Sequence, residues 1–418
     1  MDHLIRNRQY VKFSSYGFLK NLRFFDAFLI LYLVEKGLPY TQIGLLYAIR
    51  ELAINVSEIP SGIVADTIGR KKSLVGSFLI YILSFLFYYL AKDFWMFLPA
   101  FLLFGVADAF RSGTHKGMIM EYLRLNHWED QKIDYYGHTR SWSQMGSALS
   151  SLIAGVIVFH TGSYRYIFLY SVIPYLLNLM LILSYPAELD GYVGRMHQRR
   201  IPGFRSTVRQ FLQVIRRPKV LEIIHASAIH TAFLTAVKDY IQPLMVQVAV
   251  LIPLVLQLDA EKRNGIFIGI FYFLIYILTS LASRQASRAV TGNKSRISYR
   301  TLILGFLFGA VAGALYLKEF WIVSLVAFVG IYLVENLRKP ILTGFIADQV
   351  PNEILTSVIS AQSFLKTVMT AFLALVFGIV ADRSGIGVSL LAVSLFLAVI
   401  TFFIHTKARK QSKWGLIE

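Results

Sequence analysis

Twelve apolar stretches of close to 20 residues recur along the chain, and no other feature restricts its fold as strongly. They lie near 17–36, 41–61, 73–91, 94–120, 140–159 and 164–185. Beyond a hydrophilic break they recur near 220–246, 264–286, 301–317, 320–346, 355–381 and 386–405. About 20 apolar residues cross the hydrocarbon core of a bilayer as a helix, and a helix satisfies its own backbone polar groups there. The pattern predicts an all-α membrane protein with twelve transmembrane helices and excludes a soluble enzyme or an outer-membrane barrel. Only 16% of the residues are charged and 56% are hydrophobic, whereas soluble domains carry about a quarter charged residues. One region is irregular: at 243–258, Pro243 and Pro253 interrupt an apolar run too short to span alone. It reads as a kinked extension of the seventh helix. Cysteine is absent, which removes disulfides and thiol chemistry.

The basic residues set the orientation. Of 42 Lys and Arg, 25 fall in the segments that lie inside if both termini are cytoplasmic, and 7 fall in the outer loops. Such a bias follows the positive-inside rule and requires an even number of spans. The net charge of +18 is therefore mainly an orientation signal, and no nucleic-acid partner is expected. Both termini are predicted to be cytoplasmic, with the short loops fitting a bacterial inner (plasma) membrane. Ten bases remain within the spans: Lys20, Arg23, Arg50, Arg111, Lys116, Arg140, Lys238, Arg338, Lys339 and Lys366. Each costs roughly 2.5–3.5 kcal/mol at a lipid-facing helix centre. Lys20, Arg338 and Lys339, near span ends, are expected to snorkel or lie at an interface. The central ones require a polar cavity or a partner. The aromatic residues, 14% of the chain, are expected mostly at lipid and interface. Residues 126–134 read as a short interfacial helix.

The chain also repeats itself. Asp108, Arg111, Gly117 and Glu121 in the fourth span match Glu335, Arg338, Gly344 and Asp348 in the tenth at one constant offset. Gly155 and Gly162, seven apart at the end of the fifth span, match Gly378 and Gly385 at the end of the eleventh. Six positions in register argue for duplication. The expected organisation is an N-terminal six-helix bundle over 1–185, a cytoplasmic linker over 186–219 and a C-terminal six-helix bundle over 220–418. Two pseudo-symmetric bundles around a midplane site are a transporter arrangement.

After the second span runs Glu58-Ile-Pro-Ser-Gly62-Ile-Val-Ala-Asp66-Thr-Ile-Gly69-Arg70-Lys71-Lys72. Gly62 lets another helix approach closely. Asp66, one turn later on the same face, suits a neighbouring helix N-terminus. Gly69 permits a tight turn. In these residues the chain resembles the major facilitator superfamily, whose loop between helices two and three carries this pattern of glycine, aspartate, glycine, arginine and a basic pair. Thr67 departs, standing where the family often has a base. The resemblance extends to the span count, the central loop and the two-fold repeat, and so implies the MFS fold. It further implies that Gly62, Asp66, Gly69 and Arg70 form an intracellular gate with Glu121 as the acidic partner. A second copy near Ser283–Lys294 has Ser287 in place of the aspartate, so the corresponding gate is expected to be weaker.

The acids within spans are candidates for proton coupling: Asp26, Glu51, Glu58, Asp108 and Glu335. Burial raises a carboxylate's pKa and a nearby cation lowers it, so alternation between such environments takes up and releases a proton. Asp108–Arg111 and Glu335–Arg338, three apart on one face, are also expected to neutralise each other locally. Arg50–Glu51 and Lys238–Asp239 are adjacent in sequence and diverge around the helix, so each member is expected to find a partner elsewhere. Arg50, Arg111, Arg140, His230, Lys238, Asp239, Arg338 and Lys366 are candidates for a mixed-charge substrate cavity. His225 and His230 are five apart, a spacing that turns their rings away from a shared metal. No metal site or cofactor is expected.

The chain reads as a secondary active transporter moving a small organic solute by alternating access, coupled to protons. The solute is expected to be anionic, zwitterionic or amphipathic, and the protein a monomer. A multidrug-type efflux antiporter is the alternative. A polytopic membrane enzyme is more remote, because no hydrolase or metalloprotease motif is present.

Overall fold

The computed structural model describes residues 7–112, 114–128, 131–190, 218–253, 257–285, 294–349 and 352–414. Among them there is no β-strand, and the helices account for twelve spans. The first is composite: α1 (Arg8–Lys20), a 3-10 turn (Phe24–Ala27) and α2 (Leu29–Glu35). It starts well before the predicted position 17. Then follow α3 (Tyr40–Ile68), α4 (Arg70–Leu90), and a fourth span divided at Ser112 into α5 (Phe94–Arg111) and α6 (Thr114–Leu125). Next come α7 (Lys132–Thr161) and α8 (Tyr166–Leu183). The seventh span is α9 (Pro218–Val237), a 3-10 turn (Lys238–Tyr240) and α10 (Ile241–Val250). The expected extension is therefore present, and the bend lies at Lys238–Tyr240, ahead of Pro243. The last are α11 (Ala260–Gln285), α12 (Lys294–Leu317), α13 (Trp321–Gln349) and α14 (Asn352–Trp414). Helix α14 supplies two spans, since Gly385 interrupts it with φ 85°.

Two local expectations change. Residues 132–134 already form the first turn of α7 and Asn126–His127 form a turn, so the described part of 126–134 holds no separate interfacial helix. Many aromatic residues are interior rather than at lipid or interface: Phe25, Phe85, Phe97, Phe101, Phe168 and Tyr88 are all buried. Phe168 stacks on Phe25 at 5.5 Å and on Tyr88 at 4.9 Å. Between these helices the rings fill the volume.

By Cα proximity the chain divides into two units. The first comprises 1–38, 52–201 and 253–276; the second comprises 39–51, 202–252 and 277–418. Much of the linker expected at 186–219 lies outside the described residues, as does the degenerate loop residue Ser287. Inside each unit, buried hydroxyls tie neighbouring helices. Ser77 Oγ donates to Ala107 O and Ser84 Oγ to Ala100 O, both at 2.8 Å; Ser324 Oγ donates to Ala312 O, also at 2.8 Å. In an apolar surrounding such bonds and close backbone contacts replace the hydrophobic drive. The repeated glycines serve this packing. In the first unit a Cβ on Gly155 would lie 2.5 Å from Gly265 O. In the second, one on Gly378 would overlap Tyr40 O.

Candidate functional site

In the first unit the breaks in two helices place charge in the interior. Arg23, just before the 3-10 turn, has φ −96° and ψ 83°, outside helical values, and Ser112 ends α5 in extended conformation. Around these breaks Asp108 gathers its partners. Its Oδ1 accepts from Arg111 Nη2 at 2.7 Å and Nε at 3.1 Å, from Arg23 Nη2 at 3.3 Å, and from Tyr81 Oη. Arg23 Nε also donates to Tyr175 Oη at 3.1 Å, and its guanidinium lies 5.2 Å from the Phe104 ring. The local Asp108–Arg111 pair is thus present, with Arg23 as a second cation on the same oxygen. Asp26 lies beside Asn21, Arg23, Ser147, Ser151 and Tyr276 around a small cavity.

A larger cavity of about 400 Å³ adjoins this network. Its basic lining is Lys20, Arg111, His115 and Lys116; Phe13 and Tyr16 supply rings; Ser112, Thr139 and Ser143 supply hydroxyls. Among the described residues no carboxylate lines it. Tyr16 stacks on His115 with centroids 3.6 Å apart, and His115 Nε2 lies 3.2 Å from Tyr185 Oη. Lys20, expected at a span end, is here in the interior, because α1 begins nine residues earlier than the apolar pattern suggests. Polar positions in its first turns, such as Arg8 and Gln9, hide the helix start from hydropathy.

The second unit holds two further clusters. His230 Nδ1 lies 2.8 Å from Glu335 Oε2, Thr231 Oγ1 donates to Oε1 at 2.7 Å, and Lys339 Nζ is 3.8 Å away. The side chains of His230 and Glu335 are 1% and 2% exposed. Among the described residues His230 Nε2 has no hydrogen-bond partner. Arg338 does not pair with Glu335 as its spacing suggested. Arg338 is 1% exposed, and its guanidinium donates to Ser298 O at 2.5 Å, Thr301 Oγ1 at 2.6 Å and Ala226 O at 2.6 Å. Nor does it snorkel. The carboxylate turns to His230 and Thr231 on α9, and the guanidinium is held by carbonyls and a hydroxyl instead.

In the other cluster Tyr47 Oη donates to Asp239 Oδ2 at 2.8 Å, and the Arg50 guanidinium lies 4.7 Å from the Tyr47 ring. Arg50 Nη2 reaches Glu51 Oε1 at 3.1 Å, and Lys238 Nζ lies 3.9 Å from Asp239 Oδ1. The adjacent pairs therefore do meet, against expectation: long Arg and Lys side chains curl back across the divergence of neighbouring Cβ atoms.

Glu58 is exposed on α3 and Lys366 is half-buried on α14. The side chains of Asp66 and Arg140 lie outside the described part. Gly69 has φ 104°, a conformation that favours glycine, and separates α3 from α4. A Cβ on Gly62 would meet nothing within 4 Å, so among the described residues no helix approaches closely there. Arg70 Nη1 donates to Gly117 O at 3.2 Å, and its guanidinium carbon lies 3.5 Å from where a Gly117 Cβ would be. Glu121 pairs with Arg124 at 2.5 Å. The repeated glycine of α6 thus seats Arg70, one turn from the expected acid. Tyr47, Tyr81 and Tyr175 join these clusters through their hydroxyls, and none of them is marked in the sequence. Their hydroxyls face ions from distant helices, and no local spacing marks them.

Comparison with known proteins gives a consistent result. The Major Facilitator Superfamily model matches residues 21–373. The chain is 22% identical over 406 residues to the uncharacterized MFS-type transporter YxaM of Bacillus subtilis (strain 168), covering 93% of each protein. Among solved structures it resembles the nucleoside transporter NupG, with TM-score 0.74 and 12% identity over 96% of this chain and 99% of that one. It also resembles a POT family transporter bound to a thioalcohol-conjugated peptide, with TM-score 0.72 and 15% identity over 96% of both chains.

Proposed function

The chain belongs to the major facilitator superfamily, and from that premise we propose that it carries a small organic anion, held in the basic cavity of the first unit and driven by protons. At the level of the family it is a multi-pass membrane protein and an alternating-access secondary transporter, not an enzyme. The observation that carries the finer reading is the cavity of about 400 Å³ with Lys20, Arg111, His115 and Lys116 in its wall and no carboxylate among the described residues. That volume falls within the range of small-molecule sites. Two cations sharing Asp108 leave a positive balance beside it, which suits a carboxylate or phosphate group. Phe13 and Tyr16 suit a flat or apolar body attached to that group.

The proton site we assign to His230 and Glu335. A carboxylate and an imidazole, both buried and bonded at 2.8 Å, exchange a proton with little movement. The sidedness we assign has both termini in the cytoplasm, supported by the basic residues.

The test is reconstitution into liposomes with an imposed pH gradient, offering aromatic carboxylates and phosphates alongside lipophilic cations. Ring-bearing anions are expected to accumulate, and Lys20→Gln and Lys116→Gln to raise their KM several-fold. Movement of lipophilic cations alone, with both substitutions silent, would overturn the reading.

A further inference from the structure

One stretch of sequence occurs twice. Gly378-Ile-Val-Ala-Asp382-Arg-Ser-Gly385 repeats Gly62-Ile-Val-Ala-Asp66-Thr-Ile-Gly69, with five consecutive identities and a closing glycine in both. The backbone repeats as well: Gly385 has φ 85° and Gly69 φ 104°, each ending one helix where the next begins. The first copy closes the second span and the second copy closes the eleventh. With an odd number of spans between them, the two copies lie on opposite faces of the membrane.

Within the second unit, the contacts of the second copy are well defined. Asp382 Oδ1 accepts from the Tyr40 N–H and Oδ2 from the Thr41 N–H, both at 2.7 Å. These are the first two donors of α3. The preceding residue, Pro39, has no side-chain acceptor, so α3 takes its cap from another helix. The carboxylate charge is also favoured at that helix end. Backbones touch just below. A Cβ on Gly378 would overlap Tyr40 O, and one on Gly44 would overlap Ala374 O. Tyr240 packs beside them, 4.3 Å from Phe377 and 5.7 Å from Tyr40.

We propose that Asp382 is the latch of the outer gate: its carboxylate, by capping α3, holds the outer ends of α3 and α14 together, and it must release them for the outer face to open. One motif then serves both faces, an aspartate before a helix-breaking glycine, used at the inner side through Asp66 and at the outer side through Asp382. The inference rests on the alternating-access and sidedness reading above. Gly44 and Gly378 supply the close contact, and Asp382 supplies the bond that can be broken and remade.

The absence of native cysteine allows a direct test. Ala374, 1% exposed beneath the latch, is replaced by cysteine in the full chain, reconstituted right-side-out. Its labelling by a membrane-impermeant maleimide is timed from each face. Asp382→Asn keeps the shape and loses one acceptor and the charge; Tyr40→Pro removes one donor from the opposite partner at a helix position that tolerates proline. Both are expected to speed external labelling about five- to tenfold, the population shift that losing a cap produces. Unchanged labelling from both faces, in variants whose melting and monodispersity match the parent, would overturn the latch and leave the sidedness standing. Acceleration from the cytoplasmic face alone would overturn the outer assignment and the sidedness with it.

Discussion

The imidazole of His230 occupies the space that any side chain at position 305 would need: a Cβ built on Gly305 would overlap Nε2. Glycine on α12 is thus the reason a histidine on α9 reaches Glu335 on α13. Phe233 and Phe306 pack around the same ring at 6.2 and 5.9 Å, so the imidazole has little room to retreat.

Gly305→Ala is expected to displace the ring and lower stability by about 1–3 kcal/mol, the usual cost of overpacking. Thermal unfolding in detergent measures it. The double variant Gly305→Ala/His230→Ala should recover much of the loss, whereas a glycine needed only for helix flexibility would give no such rescue.

Glu335→Gln keeps the shape and the bond from Thr231 but removes the acid. Accumulation driven by a pH gradient should fall to the equilibrated level while counterflow of the solute persists. Asp26→Asn, in a different cavity, should retain accumulation. Retained accumulation in Glu335→Gln would displace the proton site from this pair.

Asp108→Asn leaves Arg23 and Arg111 facing each other without their shared anion. Full burial would make such a loss worth about 3–5 kcal/mol; these side chains are 17–24% exposed, and about 1–3 kcal/mol is expected after screening. Adding Arg111→Gln should restore part of it, and the coupling read from the double-mutant cycle should be about 0.5–3 kcal/mol.

Arg338→Lys keeps the charge but loses the planar fork that reaches Ser298 O, Thr301 Oγ1 and Ala226 O together. Buried acceptors left unpaired cost about 1–3 kcal/mol each. A lower melting temperature is expected for Arg338→Lys, although a purely electrostatic role would be preserved by it.

Gly155 and Gly378 show what the repeat in the sequence meant. Each is the point where its helix meets the backbone of another, α11 for the first and α3 for the second, and Gly162 and Gly385, seven residues on, both have positive φ. Matching spacing in one dimension became matching contacts in three. The second repeated pair behaved differently: Asp108 and Arg111 bond to each other, while Glu335 and Arg338 part company.

Span count, all-α class and family were determined by the sequence alone, because a bilayer imposes length and hydropathy on every segment and those are local properties of the chain. The repeated glycines were legible for the same reason, being fixed spacings along one helix. Which ions meet was decided only by the tertiary structure. Arg23 reaches Asp108 across 85 positions, Tyr47 reaches Asp239 across 192, and Asp382 caps Tyr40 across 342. Long side chains choose among partners by where distant helices bring them, and that choice depends on packing that no local pattern encodes.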